Sequence, residues 1–170
     1  MTERANVDLR VNLAGRTLAG PVVAASGTFG FGPEYAGIEE LRVLGGISGK
    51  GLTLHGQPGN PGERLLETPA GLMNSIGLQN PGVQHFIDHE LPAMKTLGTT
   101  VWANLGGHTV EENVEGARLL CEAGIDFLEL NISCPNVKQG GLAFGIRAQD
   151  AQEVVSAVRK ECTVPLIVKL

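Results

Sequence analysis

The residues best suited to chemistry lie in one short stretch, 127–141, which reads FLELNISCPNVKQGG. Large apolar side chains alternate there with Glu129 and Asn131, a pattern typical of a buried strand that becomes polar at its carboxyl end. The loop that follows directly adds a hydroxyl, a thiol and a second amide, from Ser133, Cys134 and Asn136. Functional groups of α/β proteins gather at the carboxyl ends of strands, so this stretch is the first candidate site.

Cys134 has the clearest catalytic potential of these residues. A thiol can act as a base if its pKa is lowered, or if it sits in a dry and well-oriented site. On the sequence alone it can equally be an inert cysteine at the end of a strand. Cys121 falls on the apolar face of a predicted helix and Cys162 at a helix end, so we expect a structural role for both.

Strands and helices alternate along the chain in the order expected of a parallel sheet. A hairpin is predicted over 8–18, followed by strands at 22–25, 47–50, 101–105, 127–132 and 166–170. Helices are predicted to begin near Pro33, Val83, Thr109 and Asp150, the last two with a capping box and the second interrupted by Pro92. This alternation predicts an α/β fold with helices outside a parallel sheet, and it leaves a barrel and an open sheet as alternatives.

Polar residues mark the ends of all five predicted strands: Ser26, Lys50, Asn104, Asn131 and Lys169. Active sites of β/α barrels are built on that face of the sheet. The stretch 52–81 is rich in proline and glycine and has no sustained period, which predicts a long loop without regular structure. Because such loops are uncommon unless they are functional, we expect this one to bind a ligand.

Composition sets the broad class of the protein. A chain of 170 residues, 42% hydrophobic and with a net charge of −5, predicts one domain over residues 1–170. The chain lacks a cluster of basic residues and an apolar run of membrane length, which argues against nucleic acid or a membrane as a partner. Its three cysteines have no metal-ligand spacing, which favours a reduced, cytoplasmic protein without a bound metal.

Several motifs resemble one family of flavoenzymes. The segments NISCPNV at 131–137, NSIGLQNPG at 74–82, KG at 50–51 and VKL at 168–170 are similar to the class 1 dihydroorotate dehydrogenases. The form IGLQNPGV is most similar to class 1B. The resemblance implies a (β/α)8 barrel of the TIM type, of which this chain would contain about the first five strands, an incomplete barrel truncated at the carboxyl end.

The resemblance also implies an activity. Members of this family use FMN to oxidise (S)-dihydroorotate to orotate in pyrimidine biosynthesis. In class 1B, electrons pass to NAD through a partner subunit that carries FAD and an iron–sulfur cluster. The implied assembly is a homodimer of the catalytic chain together with that electron-transfer subunit.

Matching motif positions implies a role for individual residues. Cys134 matches the catalytic base. Residues matching substrate contacts are Lys50, Asn74, Ser75, Ile76, Gly77, Leu78, Asn131 and Asn136. Residues matching flavin contacts are Ser26, Lys50, Gly51, Asn104, Asn131 and Lys169.

These residue types suit the implied reaction, which removes a proton and a hydride from neighbouring ring carbons. Asparagine amides can donate to the carbonyls of a cyclic diamide and accept from its N–H groups, and a lysine can neutralise a carboxylate or a reduced flavin.

Two alternative functions stay open. One is a related flavin barrel that acts on dihydropyrimidines or dihydrouridine, and the other is a catalytically silent half-barrel that needs a complementing half or an oligomer.

Overall fold

The computed structural model describes three stretches of the chain, residues 7–37, 39–133 and 144–170. It begins with an antiparallel hairpin of strands β1 (Val11–Leu13) and β2 (Arg16–Leu18). The hairpin turns at Ala14 and Gly15, which have φ angles of 49° and 83° and so match the left-handed backbone of a two-residue turn. The predicted hairpin outside the main sheet is confirmed.

The remaining strands and the helices follow in a regular order. The strands are β3 (Val23–Ala24), β4 (Gly46–Ser48), β5 (His55–Gln57), β6 (Leu65–Thr68), β7 (Gly71–Asn74), β8 (Asn80–Gly82), β9 (Val101–Leu105), β10 (Phe127–Asn131) and β11 (Leu166–Lys169). The α-helices are α1 (Val83–His85), α2 (Leu91–Lys95), α3 (Val110–Glu122) and α4 (Ala148–Glu161). None of the helices in the described ranges combines the length and apolar character needed to cross a membrane.

Five parallel strands form the main sheet, in the spatial order β11-β10-β9-β4-β3. Each strand of the sheet therefore lies beside the one that follows it along the chain. The spatial order of the strands does not reverse, as it does at one point in an open doubly wound sheet. This order is the one found in β/α barrels, and the five strands form a curled half-barrel. The order of the strands decides between the two folds that the sequence left open.

The two faces of this sheet have different partners. On the outer face, Ile47, Leu105 and Leu128 are fully buried beneath the helices in the larger apolar cluster. On the inner face, Trp102 stacks on Phe127 with 4.4 Å between ring centroids, and the β1–β2 hairpin packs against both rings. The hairpin thus closes the inner face near the amino-terminal ends of the strands and leaves the carboxyl ends open.

One predicted helix differs from the structure observed, and another is interrupted near Pro92 as predicted. The segment from Pro33 forms two short 3₁₀ helices, Pro33–Tyr35 and Glu39–Val43, and Ile38 of its predicted apolar stripe lies outside the described residues. The helix from Val83 contains a π-helical turn, Phe86–Glu90, directly before α2. Pro92 explains this turn, because proline has no N–H to donate and its ring needs extra room in the preceding turn.

The capping predictions had mixed outcomes. Thr109 caps α3 as predicted, since its hydroxyl accepts a hydrogen bond from the Glu112 backbone N–H at 3.1 Å. The Glu112 carboxylate reaches the backbone N–H of His108, one residue earlier than in a standard capping box. The prediction that Asp150 caps α4 was wrong: the helix begins two residues earlier, and Asp150 forms an ion pair with Arg147 within the first turn.

The two described cysteines lie between α3 and α4. Cys121 and Cys162 are both buried, with 3.6 Å between their sulfur atoms. The hydrogen bond between the two side chains lowers the pKa of Cys121 to about 6, and the same contact raises the pKa of Cys162. Their burial agrees with the structural role expected for both.

The α3 cap provides a test of local stability. We expect Thr109→Ala to lower the free energy of unfolding by about 1 kcal/mol in urea, because the Glu112 N–H loses its acceptor. Thr109→Ser keeps the hydroxyl and serves as the matched control with little change. Equal stability of Thr109→Ala and Thr109→Ser would show that the hydroxyl does not hold the start of α3.

Candidate active site

The inner face of the sheet becomes polar toward the carboxyl ends of its strands. Asn104 pairs in register with Glu129, and Asn131 pairs with Lys169 on the next strand. Side chains of parallel strands alternate with a period of two, so these four residues lie on the same face. Polar side chains from the carboxyl ends of separate strands therefore meet at one edge of the sheet.

A hydrogen-bond network joins four residues at this edge. The Glu129 carboxylate accepts hydrogen bonds from the Ser26 hydroxyl at 2.9 Å and from the Asn104 amide nitrogen at 2.5 Å. The Lys169 ammonium donates to the Ser26 oxygen at 2.8 Å. Glu129 is 8% exposed and Asn104 is 1% exposed, so the network lies largely away from solvent. Lys169 is thus held within the site by its hydrogen bond to Ser26.

Gly51 packs closely beside this network. A Cβ atom at Gly51 would stand 2.8 Å from the Asn104 Oδ1 atom and 3.4 Å from the Leu78 side chain. A side chain there would crowd both neighbours, so the close approach to the Asn104 carbonyl requires glycine at this position. Leu78 itself has a φ of 53°, a left-handed conformation that is costly for a bulky residue.

The candidate catalytic loop is described only at its start. The Asn131 side-chain oxygen accepts hydrogen bonds from the Ser133 hydroxyl at 2.8 Å and from its backbone N–H at 3.2 Å. This turn directs the chain out of β10 toward the loop. Cys134 and Asn136 lie outside the described residues, so their predicted roles stay predictions.

The prediction that 52–81 has no regular structure was wrong. Strand β5 pairs antiparallel with β8, and β6 forms a hairpin with β7. These strands are three or four residues long. The β6–β7 hairpin exposes both of its faces, so its sequence lacks the alternation that signals a half-buried strand.

The segment 74–78 runs from this hairpin to the polar edge of the sheet. The Asn60 amide donates to the Ser75 hydroxyl at 2.8 Å, and the Gln57 amide donates to the Gly77 carbonyl at 2.8 Å. These hydrogen bonds hold the segment 74–78 against residues 57–60 of the same loop. Asn74 and Ser75 are exposed, whereas Ile76, Gly77 and Leu78 are half-buried.

Lys50 lies at the end of β4 beside an open cleft of about 630 Å³. Its backbone N–H donates to the Gly30 carbonyl at 3.0 Å. The cleft is bounded by polar side chains that include Glu34, Gln57, Gln79 and Glu90. Lys50 thus presents a cation next to a space large enough for a small molecule.

Asn80 organises the backbone beneath the segment 74–78. Its side-chain oxygen accepts hydrogen bonds from the N–H groups of Thr53 and Gly82, each at 3.0 Å. Its amide nitrogen donates to the Leu78 carbonyl at 2.8 Å. Asn80 is 6% exposed, so these bonds replace water for otherwise buried backbone groups.

Sequence reasoning did not assign roles to Glu129 and Asn80. A charged residue in the middle of an apolar strand is unusual, because Glu is rarely buried without a partner, and this could have identified Glu129. Asn80 had a weaker signal, since it stands before a proline inside a motif that was read as a ligand contact. Its hydrogen bonds to backbone groups could not be seen from residue types alone.

The arrangement suits a flat ring system edged with carbonyl and N–H groups. The polar edge supplies amides from two asparagines, a hydroxyl from Ser26 and an ammonium from Lys169. Glycine at position 51 has no side chain to keep such a ring away from the backbone there. Lysines near the ring can offset negative charge that it gains on reduction. The described residues therefore fit a flavin.

A curled parallel β/α sheet with its polar groups at the carboxyl ends of the strands defines a β/α-barrel protein of the type that binds ligands at this face. The sequence model of the dihydroorotate dehydrogenase family matches residues 8–170. The chain therefore belongs to the dihydroorotate dehydrogenase family.

The chain is similar to curated members of this family. It is 52% identical over 164 residues to the dihydroorotate dehydrogenase B (NAD(+)) catalytic subunit of Petrotoga mobilis, covering 96% of this chain and 55% of that protein. The catalytic subunit of the same name from Citrifermentans bemidjiense is 49% identical, with 96% of this chain and 54% of that protein covered. The chain thus spans about half the length of the curated relatives it matches.

A solved structure confirms the fold. The crystal structure of ligand-free type DHODH from Eimeria tenella matches with a TM-score of 0.67 and 20% sequence identity. The match covers 94% of this chain and 47% of that one. At this identity the likeness shows the fold alone, and it agrees with a sheet that forms about half of a barrel.

Asn80 gives a test of how the segment 74–78 is held. We expect Asn80→Ala to lower the free energy of unfolding by about 3 kcal/mol, because two buried N–H groups lose their acceptor. Gln79→Ala is the adjacent control: its side chain is exposed, and we expect a change below about 0.5 kcal/mol. Urea unfolding of both variants measures the difference, and a loss of similar size in both would contradict the role of Asn80.

Proposed function

We propose that this chain carries the flavin- and substrate-facing residues of an FMN-dependent dihydroorotate dehydrogenase, which oxidises (S)-dihydroorotate to orotate in pyrimidine biosynthesis. Family membership and the names of the curated relatives support this proposal. The observation that carries it is the hydrogen-bonded group of Ser26, Asn104, Glu129 and Lys169, with Gly51 packed beside the Asn104 carbonyl.

FMN is the proposed cofactor, and it would accept the hydride when bound. Ser26, Asn104 and Lys169 form one connected group that can hold the polar edge of the ring. Gly51, packed beside Asn104, has no side chain that would keep the ring away from them. The remaining proposed contacts are Lys50, at the end of β4, and Asn131, at the end of β10.

Cys134 is the proposed base that removes the proton from dihydroorotate. It follows Ser133 directly, at the point where the chain leaves the carboxyl end of β10. A base placed there would stand over the same edge of the sheet as the flavin contacts, so the substrate would lie between the two. A thiolate at this position takes up the proton, and its pKa decides how fast it does so at neutral pH.

Substrate recognition is proposed for Lys50, the segment Asn74–Leu78, Asn131 and Asn136. Dihydroorotate is a cyclic diamide with a carboxylate, which matches amide side chains and a lysine. The Leu78 end of the segment lies against Gly51 and Asn104, which supports a position for the substrate next to the flavin. The cleft beside Lys50 leaves room for the carboxylate.

Electron transfer to NAD is proposed to need a second subunit. The relatives are named as NAD(+)-type catalytic subunits, which supports a separate electron-transfer chain. We propose that this partner carries FAD and an iron–sulfur cluster and that the catalytic chain forms a homodimer in the cytoplasm.

The proposed role of Cys134 has a direct kinetic test. With FMN bound, we expect dihydroorotate to bleach the flavin absorbance of the unsubstituted chain in a single turnover. Cys134→Ser should slow this step at least about 100-fold at neutral pH, because an alcohol is a far weaker base than a thiol.

The matched control is Cys121→Ser, which makes the same replacement between the outer helices. Bleaching at the unsubstituted rate in Cys134→Ser would remove Cys134 from the mechanism. No bleaching in the unsubstituted chain with FMN bound would contradict the proposed activity for this chain.

A further inference from the structure

Charge is confined to two positions in the main sheet. Within its five strands, all of which lie in the described ranges, Glu129 and Lys169 are the only charged residues. The Ser26 hydroxyl links them: it accepts from the Lys169 ammonium at 2.8 Å and donates to the Glu129 carboxylate at 2.9 Å. An ammonium can only donate hydrogen bonds, so the Ser26 oxygen must accept from Lys169. The Ser26 hydroxyl proton is therefore free to be donated to the Glu129 carboxylate, which acts only as an acceptor.

The burial of the Glu129 carboxylate requires that its oxygens accept hydrogen bonds. A carboxylate that is 8% exposed costs free energy unless its oxygens are paired. Glu129 meets this need with two donors on one oxygen, the Ser26 hydroxyl and the Asn104 amide nitrogen at 2.5 Å. The same amide nitrogen also donates to the Ser26 oxygen at 3.3 Å. Hydrogen bonds to an ionised acceptor are stronger than neutral ones, so we assign the orientation of the Asn104 side chain chiefly to Glu129.

The orientation of Asn104 has a consequence for the site. Because its nitrogen faces Glu129, its carbonyl oxygen faces Gly51, 2.8 Å from where a Cβ would stand. A hydrogen-bond acceptor is thereby turned toward Gly51, which is itself a proposed flavin contact. With the amide reversed, the same position would present a donor.

We propose that Glu129 is a positioning residue: it fixes the Asn104 carbonyl toward Gly51, the proposed flavin contact beside it, and supplies the negative charge that offsets Lys169. The effect on the cofactor rests on the proposed function, whereas the orientation of Asn104 belongs to the chain without a ligand. The two parts therefore have separate tests.

The first test measures solvent exchange of the Asn104 side-chain amide protons by NMR in the chain without FMN. Glu129→Gln retains an acceptor oxygen, so we expect exchange as slow as in the unsubstituted chain. Glu129→Leu has no acceptor, so we expect exchange about tenfold faster. Slow exchange in a folded Glu129→Leu chain would overturn the proposal.

If Glu129→Leu does not fold, Glu129→Asp decides the question. Aspartate keeps the charge but is shorter by one carbon, so its carboxylate falls short of Asn104 and we expect faster exchange there too. Unchanged exchange in Glu129→Asp would show that Glu129 does not fix the amide.

The second test measures how tightly the chain binds reduced FMN relative to oxidised FMN. Glu129→Gln removes the offsetting charge, so we expect this ratio to rise about tenfold, which corresponds to about 30 mV in a two-electron midpoint potential. Glu153→Gln, on the exposed side of α4, is the charge-matched control and should leave the ratio unchanged.

The outcomes separate the two proposals. An unchanged ratio in Glu129→Gln would overturn the effect of Glu129 on the cofactor. If the unsubstituted chain binds no FMN, the proposed function fails for this chain, and the amide exchange of Asn104 still decides whether Glu129 is a positioning residue.

Discussion

The in-register pairing of parallel strands is the constraint on which the rest of the structure depends. It places Asn104 beside Glu129 and Asn131 beside Lys169, all on the inner face of the sheet. A slip of one residue in β10 would turn Glu129 and Asn131 toward the helices and bring apolar side chains into the site. The buried carboxylate would then lose its donors, so the register and the polar network support each other.

The apolar parts of the fold keep this register. The outer face packs beneath the helices, and the inner face is closed near the amino-terminal ends of its strands by the hairpin against Trp102 and Phe127. The carboxyl ends are therefore free for polar residues while the rest of each strand is held by close packing. This division explains how a short polar edge can be rigid enough to orient the proposed flavin and substrate.

The sequence predicted the elements better than their contacts. Strands such as Phe127–Asn131 were predictable because apolar residues dominate them, and the ends of the five strands marked the polar edge. The hairpin β6–β7 was missed because both of its faces are exposed, so no alternation marks it. Glu129 was missed as a site residue because its partners lie 103 and 25 positions away, a proximity that only the fold creates.

The most direct test of the account is a titration of the 170-residue chain with FMN, followed by flavin fluorescence. We expect saturable quenching, and at least about tenfold weaker binding in Gly51→Ala, because the new Cβ would stand 2.8 Å from the Asn104 carbonyl oxygen. Gly37→Ala, where a Cβ meets nothing within 4 Å, should bind like the unsubstituted chain. No quenching by a folded chain, or equal binding in Gly51→Ala, would contradict the claim that this edge of the sheet holds the flavin.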